Sequence, residues 1–111
     1  MNTFPFGLDK EAQIYCSSSK IALQSDPKAS YITNGMAAEP QFKQLVSMPF
    51  DVQVNMITRW TRESVEQQND LSENSVAWMI ALFSKSYEIA GGSRSFDDIF
   101  TSVFKNYYRT Y

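Results

Sequence analysis

One segment of this sequence, residues 76–83, would be apolar on every side of a helix. Ser72, before this segment, is a residue type that begins helices, and Gly91 and Gly92, after it, are a type that ends them. A helix without a polar face is normally covered by its neighbours. At eight residues, the run is far shorter than the roughly 20 residues that a membrane-spanning helix needs. It therefore predicts the central helix of a soluble domain.

The rest of the chain is a series of amphipathic segments separated by Pro, Gly and Asn. Apolar residues recur at helical spacing over 9–24, 49–68 and 95–111, and shorter helices that begin near prolines are predicted over 27–33 and 40–46. The serines at 17–19 weaken the first segment. Residues 50–56 alternate as in a strand, but the alternation fails at Ile57 and Trp60. The sequence thus predicts an all-α fold, a compact bundle of about five helices, three longer and two short, around the central apolar helix.

The chain length of 111 residues indicates a single helical domain over 1–111, with an irregular N-terminal segment over 1–8. One local ambiguity lies at residues 28–36. The Asn34-Gly35 pair can end a short helix, or it can form the two-residue turn of a β-hairpin. The helix is favoured because residues 36–40 would make a poor second strand.

The amino-acid composition excludes several kinds of catalytic and metal-binding site. The chain has no histidine, so Ser-His-Asp and Cys-His sites and histidine zinc motifs are excluded, and one cysteine does not supply a metal site. No metal or cofactor is predicted. Cys16 is expected to be a small buried residue, although Lys20, four residues later, would favour a reactive thiolate. Asp97 and Asp98 diverge by about 100° on a helix, which suits first-turn capping better than catalysis.

The net charge is -2, the isoelectric point is near 5.0, and the basic residues are scattered singly. This pattern disfavours nucleic acid as a partner, because duplex-binding domains usually carry a basic patch. The N-terminus has neither the basic nor the apolar region of a signal peptide. A cytoplasmic protein with no membrane segment is expected.

One surface of the predicted helix over 49–68 is a candidate binding site. Val52, Met56 and Trp60 form a stripe away from the main core face, and Arg59 and Arg62 flank Trp60. Trp, Met and Arg are enriched at protein interfaces. Polar residues that would rim this stripe are Gln53, Glu63 and Gln67. Tyr108, at the edge of the apolar half of the last helix, is a second candidate contact residue.

The same stripe has an ordinary structural explanation, in which the bundle covers it on two sides and Arg62 pairs with Glu66 four residues later. As a functional hypothesis, the sequence favours a small interaction module, an adaptor, regulator or inhibitor that binds a larger protein. A phage or other mobile element is a compatible origin, and a homodimer is an alternative way to cover the stripe.

The alternative function is a helix-turn-helix-like regulator that binds nucleic acid. Its base-reading residues would be Gln53, Asn55, Arg59 and Arg62. An enzyme ranks last, because no convergent set of catalytic residues can be named.

Overall fold

A computed structural model describes residues 4–109 of the chain. Within this range the secondary structure is entirely helical. The six helices are α1 (Leu8–Ser25), α2 (Pro27–Ala37), α3 (Pro40–Leu45), α4 (Phe50–Gln67), α5 (Glu73–Ile89) and α6 (Phe96–Arg109). They pack into a bundle, which confirms the predicted all-α fold. Of the segment predicted to be irregular, residues 1–3 lie outside the described residues, and Leu8 already begins α1.

The described residues contain six helices, which are the central helix and the three longer and two short helices that the sequence predicts around it. Helix α1 runs through Ser17, Ser18 and Ser19 without a break. Ala12, Cys16 and Ser19 are buried at helical spacing along one face. Burial of this face outweighs the low helix propensity of the serines, as tertiary packing commonly does.

Helix α2 begins as predicted and ends later than predicted. Its cap is Asp26, whose Oδ1 accepts a hydrogen bond of 2.9 Å from the amide of Lys28, and Pro27 is the first helical residue. The Asn34-Gly35 pair forms no hairpin, which confirms the favoured helix, but it does not stop that helix, so the predicted end at Thr33 was wrong. Gly35 lies inside the helix, which continues to Ala37 because the buried side of α2 continues to Ala37.

Helix α5 is the central helix, as the all-apolar run predicts. It is in contact with each of the other five helices. Among its residues Val76, Ile80 and Ala81 are completely buried. The helix ends at Gly91, whose φ of 97° is a left-handed conformation that suits glycine. The amides of Gly91 and Gly92 donate to the carbonyls of Glu88 and Tyr87, which is the hydrogen-bond pattern of a Schellman cap.

Helix α6 has the predicted amphipathic character and lies against α1, α4 and α5. Ser95 caps its start, with Oγ accepting from the amide of Asp98 at 3.1 Å. At its other end, Lys105 Nζ lies 3.3 Å from a carboxylate oxygen of Asp9, which connects α6 to the first turn of α1. The last two residues of the predicted range, 110 and 111, lie outside the described residues.

Helix α4 is a helix and not a strand, which resolves the alternating pattern of residues 50–56 in favour of the helical prediction. Its buried side faces α5 and α6. Val54, Ile57, Thr58, Thr61 and Val65 are buried on that side. Trp60 is partly buried and lies at the edge of this side. Glu63 and Gln67, beyond that edge, are exposed to solvent.

Candidate functional site

An open groove of about 660 Å³ lies between the C-terminal half of α4, the start of α3 and the middle of α5. Trp60 from α4, which is partly buried, and Phe83 from α5, which is buried, are its aromatic residues and form its floor. Those polar residues form the rim, and they are Gln41, Glu63, Ser64, Glu66 and Gln67. We call this feature the Trp60 groove.

Aromatic packing holds the Trp60 indole in place. Its ring centroid lies 5.2 Å from that of Phe42 and 6.0 Å from that of Phe83. Phe42 is completely buried and is itself stacked against Phe83. Trp60 is thus attached to the core on one side, as the structural explanation of the stripe expects, while its other side remains partly exposed at the groove.

The charge of the Trp60 groove comes from two carboxylates. Glu63 and Glu66 are both exposed on its rim, and no basic residue lines it. Within residues 4–109, the ion pairs all involve other acidic residues, Asp9, Glu88 and Asp97. The groove is therefore an apolar surface bordered by two carboxylates that take part in none of the ion pairs within residues 4–109.

The remaining candidates from the sequence do not line this groove. Met56 is partly buried against the core, Val52 is partly buried, and Arg59 is exposed. Arg62 lies on the opposite edge of α4, where its guanidinium carbon is 5.1 Å from the centroid of the Tyr107 ring. Of the predicted stripe and its two flanking arginines, only Trp60 lines the groove, and Arg62 is on the other edge of α4.

Tyr108 belongs to an aromatic cluster at another part of the bundle. Its ring centroid lies 4.9 Å from the centroids of Phe4, Phe104 and Tyr107. The contact with Phe4 attaches α6 to the segment that precedes α1. Tyr108 is partly buried there, and the structure does not bring it together with Trp60.

Two of the residues proposed to read base edges are engaged inside the protein. Gln53 is only 2% exposed, so the expectation that it would rim the stripe was wrong. Its Nε2 donates to the carbonyl of Leu45 at 3.0 Å, and its Oε1 accepts from the Tyr87 hydroxyl at 3.1 Å. Arg62 is packed on Tyr107. These contacts give the nucleic-acid hypothesis no specific support.

Phe83, Gln41 and Glu66 are groove residues that sequence reasoning did not select. Phe83 carries no distinguishing signal, because it is one of eight consecutive apolar residues. Gln41 reaches the groove only because α3 packs beside α5. Glu63 and Gln67 were expected at the rim because they lie three and seven residues after Trp60, on the same side of a helix.

A second groove, of about 580 Å³, lies between the end of α1, α2, the end of α5 and the start of α6. Four of its five charged residues form two ion pairs, and the fifth, Asp26, caps the start of α2. Lys20 Nζ lies 2.8 Å from Asp97 Oδ1, and Lys85 Nζ lies 2.7 Å from Glu88 Oε1. Charged residues that are already engaged within the protein are less able to pair with a binding partner. We therefore favour the Trp60 groove as the binding site.

Cys16 lies close to the second groove but does not have the environment of a reactive thiol. Its side chain is buried, as the sequence predicts. The pKa of the thiol is raised to about 11, mainly by burial and also by the nearby Asp97 carboxylate, whose effect exceeds the opposite effect of Lys20. The thiol is therefore protonated at neutral pH, and the thiolate is the nucleophilic form.

The described residues also bear on metal binding and on membrane insertion. Within residues 4–109, no group of three or more Cys, Asp or Glu side chains is arranged to hold a metal ion. In the same range, no helix combines the length and the apolar character that crossing a bilayer requires. Comparison of the chain with protein-family models, with curated proteins and with solved structures finds no match.

Proposed function

We propose that this chain is a small interaction protein that binds a larger protein partner through the Trp60 groove. The observation that carries the proposal is a partly exposed indole, fixed by Phe42 and Phe83, at the floor of a groove with an unpaired acidic rim. Tryptophan is among the residues that contribute most to binding at protein interfaces, especially when polar residues around it exclude water.

Rigidity supports the same proposal. A side chain that is already held in place loses little conformational entropy when a partner covers it, so more of the contact energy appears as affinity. Trp60 is held by two aromatic neighbours, one of which, Phe42, is completely buried. The volume of about 660 Å³ is sufficient for one or two side chains of a partner.

Photo-crosslinking tests this function without disturbing the core. A photo-reactive amino acid replaces Gln67 at the rim in one variant and Gln13 in a control variant. Both positions are exposed helix residues, but Gln13 is on α1, away from the groove. Illumination in the native cells is expected to give a discrete protein adduct from position 67 only, identified by mass spectrometry.

A simpler experiment is truncation of Trp60 or Tyr108 to alanine. The structure makes this test ambiguous, because both side chains pack against other aromatic rings and their loss would also reduce stability. Crosslinking avoids that problem. The same adducts at positions 67 and 13, or no adduct at position 67, would contradict the proposed function.

A further inference from the structure

We infer that the Trp60 groove receives an arginine side chain, presented by a segment of the protein partner. This inference rests on the proposed function and adds the chemistry by which the partner is recognised. Three properties of the groove favour an arginine: its aromatic floor, the sign of its charge, and the presence of that charge beside the indole.

The aromatic floor suits a cation. The face of an indole attracts cations more strongly than the face of a phenol or benzene ring does. The chain already uses such contacts between its own residues, with Arg94 located 4.1 Å above the centroid of Phe50 and Arg62 located 5.1 Å from that of Tyr107. Within residues 4–109 the aromatic rings packed on Trp60 are Phe42 and Phe83, and the partly exposed indole lines the groove, where an external cation can reach it.

The rim charges determine the sign of the occupant. Glu63 and Glu66 both line the groove from α4, and both are exposed. The other polar lining residues, Gln41, Ser64 and Gln67, are neutral. An acidic side chain would be repelled here, and a purely apolar one would remove water from the carboxylates without replacing their hydrogen bonds.

Arginine fits these features better than lysine. Its planar guanidinium can stack on an indole while its N–H groups donate to a carboxylate in a paired geometry. It is also less strongly hydrated than an ammonium group, so it costs less to bring into a partly buried groove. The combination of an aromatic floor and a carboxylate rim therefore selects for a residue that stacks and donates at the same time.

The test uses four capped peptides of the sequence Gly-Ser-Gly-X-Gly-Ser-Gly, in which X is arginine, lysine, citrulline or glutamate. Citrulline has nearly the shape of arginine without its charge. Binding is followed by the NMR signal of the Trp60 indole N–H. We expect a saturable shift with the arginine peptide, about fivefold weaker binding with citrulline, and no saturable shift with glutamate. Binding should also weaken as salt increases.

Charge-neutral variants of the protein complete the test. The Glu63→Gln, Glu66→Gln double variant is expected to bind the arginine peptide about fivefold more weakly and the citrulline peptide unchanged. Glu88→Gln, a carboxylate of the second groove, is the matched control and should leave both affinities unchanged. Equal affinities for arginine and citrulline, stronger binding of lysine than arginine, an unaffected double variant, or no saturable shift would each overturn the inference.

Failure of this inference can be distinguished from failure of the proposed function. If the crosslink at position 67 forms but the peptides show no preference for arginine, the groove binds a protein by other chemistry. If the arginine peptide binds as expected but position 67 gives no adduct in cells, the recognition chemistry is right and the assigned role is wrong.

Discussion

Replacing Gln53 with alanine is expected to lower the free energy of unfolding by about 3 kcal/mol, the sum of a packing loss and of buried polar groups left without partners. Gln53 is 2% exposed and Tyr87 is completely buried. The Gln53 amide joins the carbonyl of Leu45 at the end of α3 to the Tyr87 hydroxyl on α5. That hydroxyl also accepts a hydrogen bond of 3.2 Å from the amide of Arg94.

A methionine at position 53 separates the two contributions. Gln53→Met keeps most of the side-chain volume but removes the amide, so we expect a loss of about 2 kcal/mol from the unsatisfied carbonyl and hydroxyl. Urea unfolding followed by circular dichroism measures both variants. Losses below about 1 kcal/mol in both would show that this hydrogen-bond network contributes little to stability.

Replacing Gly92 with alanine is the second large effect, and we expect it to cost about 3 kcal/mol through overpacking. A methyl group at position 92 would overlap the ring of Tyr87. The ring cannot easily move away, because it is completely buried and its hydroxyl is hydrogen-bonded to Gln53 and Arg94. The substitution therefore strains the end of α5 and the hydrogen-bond network together.

Gly35→Ala is the matched control for this prediction. Gly35 is exposed inside α2, and a methyl group there would meet no atom within 4 Å. Because glycine is unfavourable inside a helix, this variant should be more stable than the wild type by roughly 0.5–1 kcal/mol. Thermal unfolding should thus move in opposite directions for the two variants. A Gly92→Ala variant as stable as the wild type would contradict the packing seen around Tyr87.

The sequence predicts those features that depend on local pattern. The all-apolar run over 76–83 identifies the central helix, and the spacing of aromatics after Ser95 identifies α6, because in both cases the pattern itself requires burial. Asp26-Pro27 identifies the start of α2, since an N-cap followed by proline acts through bonds within one turn. Each of these signals is contained within a few residues.

Features that depend on contacts between distant segments were missed. Asn34-Gly35 would stop an isolated helix, but the packing of Ala29, Thr33 and Ala37 continues α2 past it. Gln53 looks like a surface residue in the sequence, and it is buried because Leu45 and Tyr87 supply partners for both ends of its amide. The pattern of α4 does not reveal that Phe83 approaches Trp60.

The candidate site was therefore only partly predictable. Trp60, Glu63 and Gln67 share one side of α4, and helical spacing alone groups them. Arg62 and Tyr108 were grouped with them by residue type, and the structure places them in other contacts. A groove needs walls from several helices, and the spacing within one helix cannot specify them.

Hydrogen exchange measured with and without the crosslinked partner tests most directly whether the Trp60 groove is the binding surface. Exposed backbone amides become protected where a partner covers them, and exchange reports that protection segment by segment. We predict that addition of the partner slows exchange in residues 40–45 and 60–67, which border the groove. Protection confined to α1 and α2, with α3 and α4 unchanged, would contradict the claim that the Trp60 groove is the binding surface.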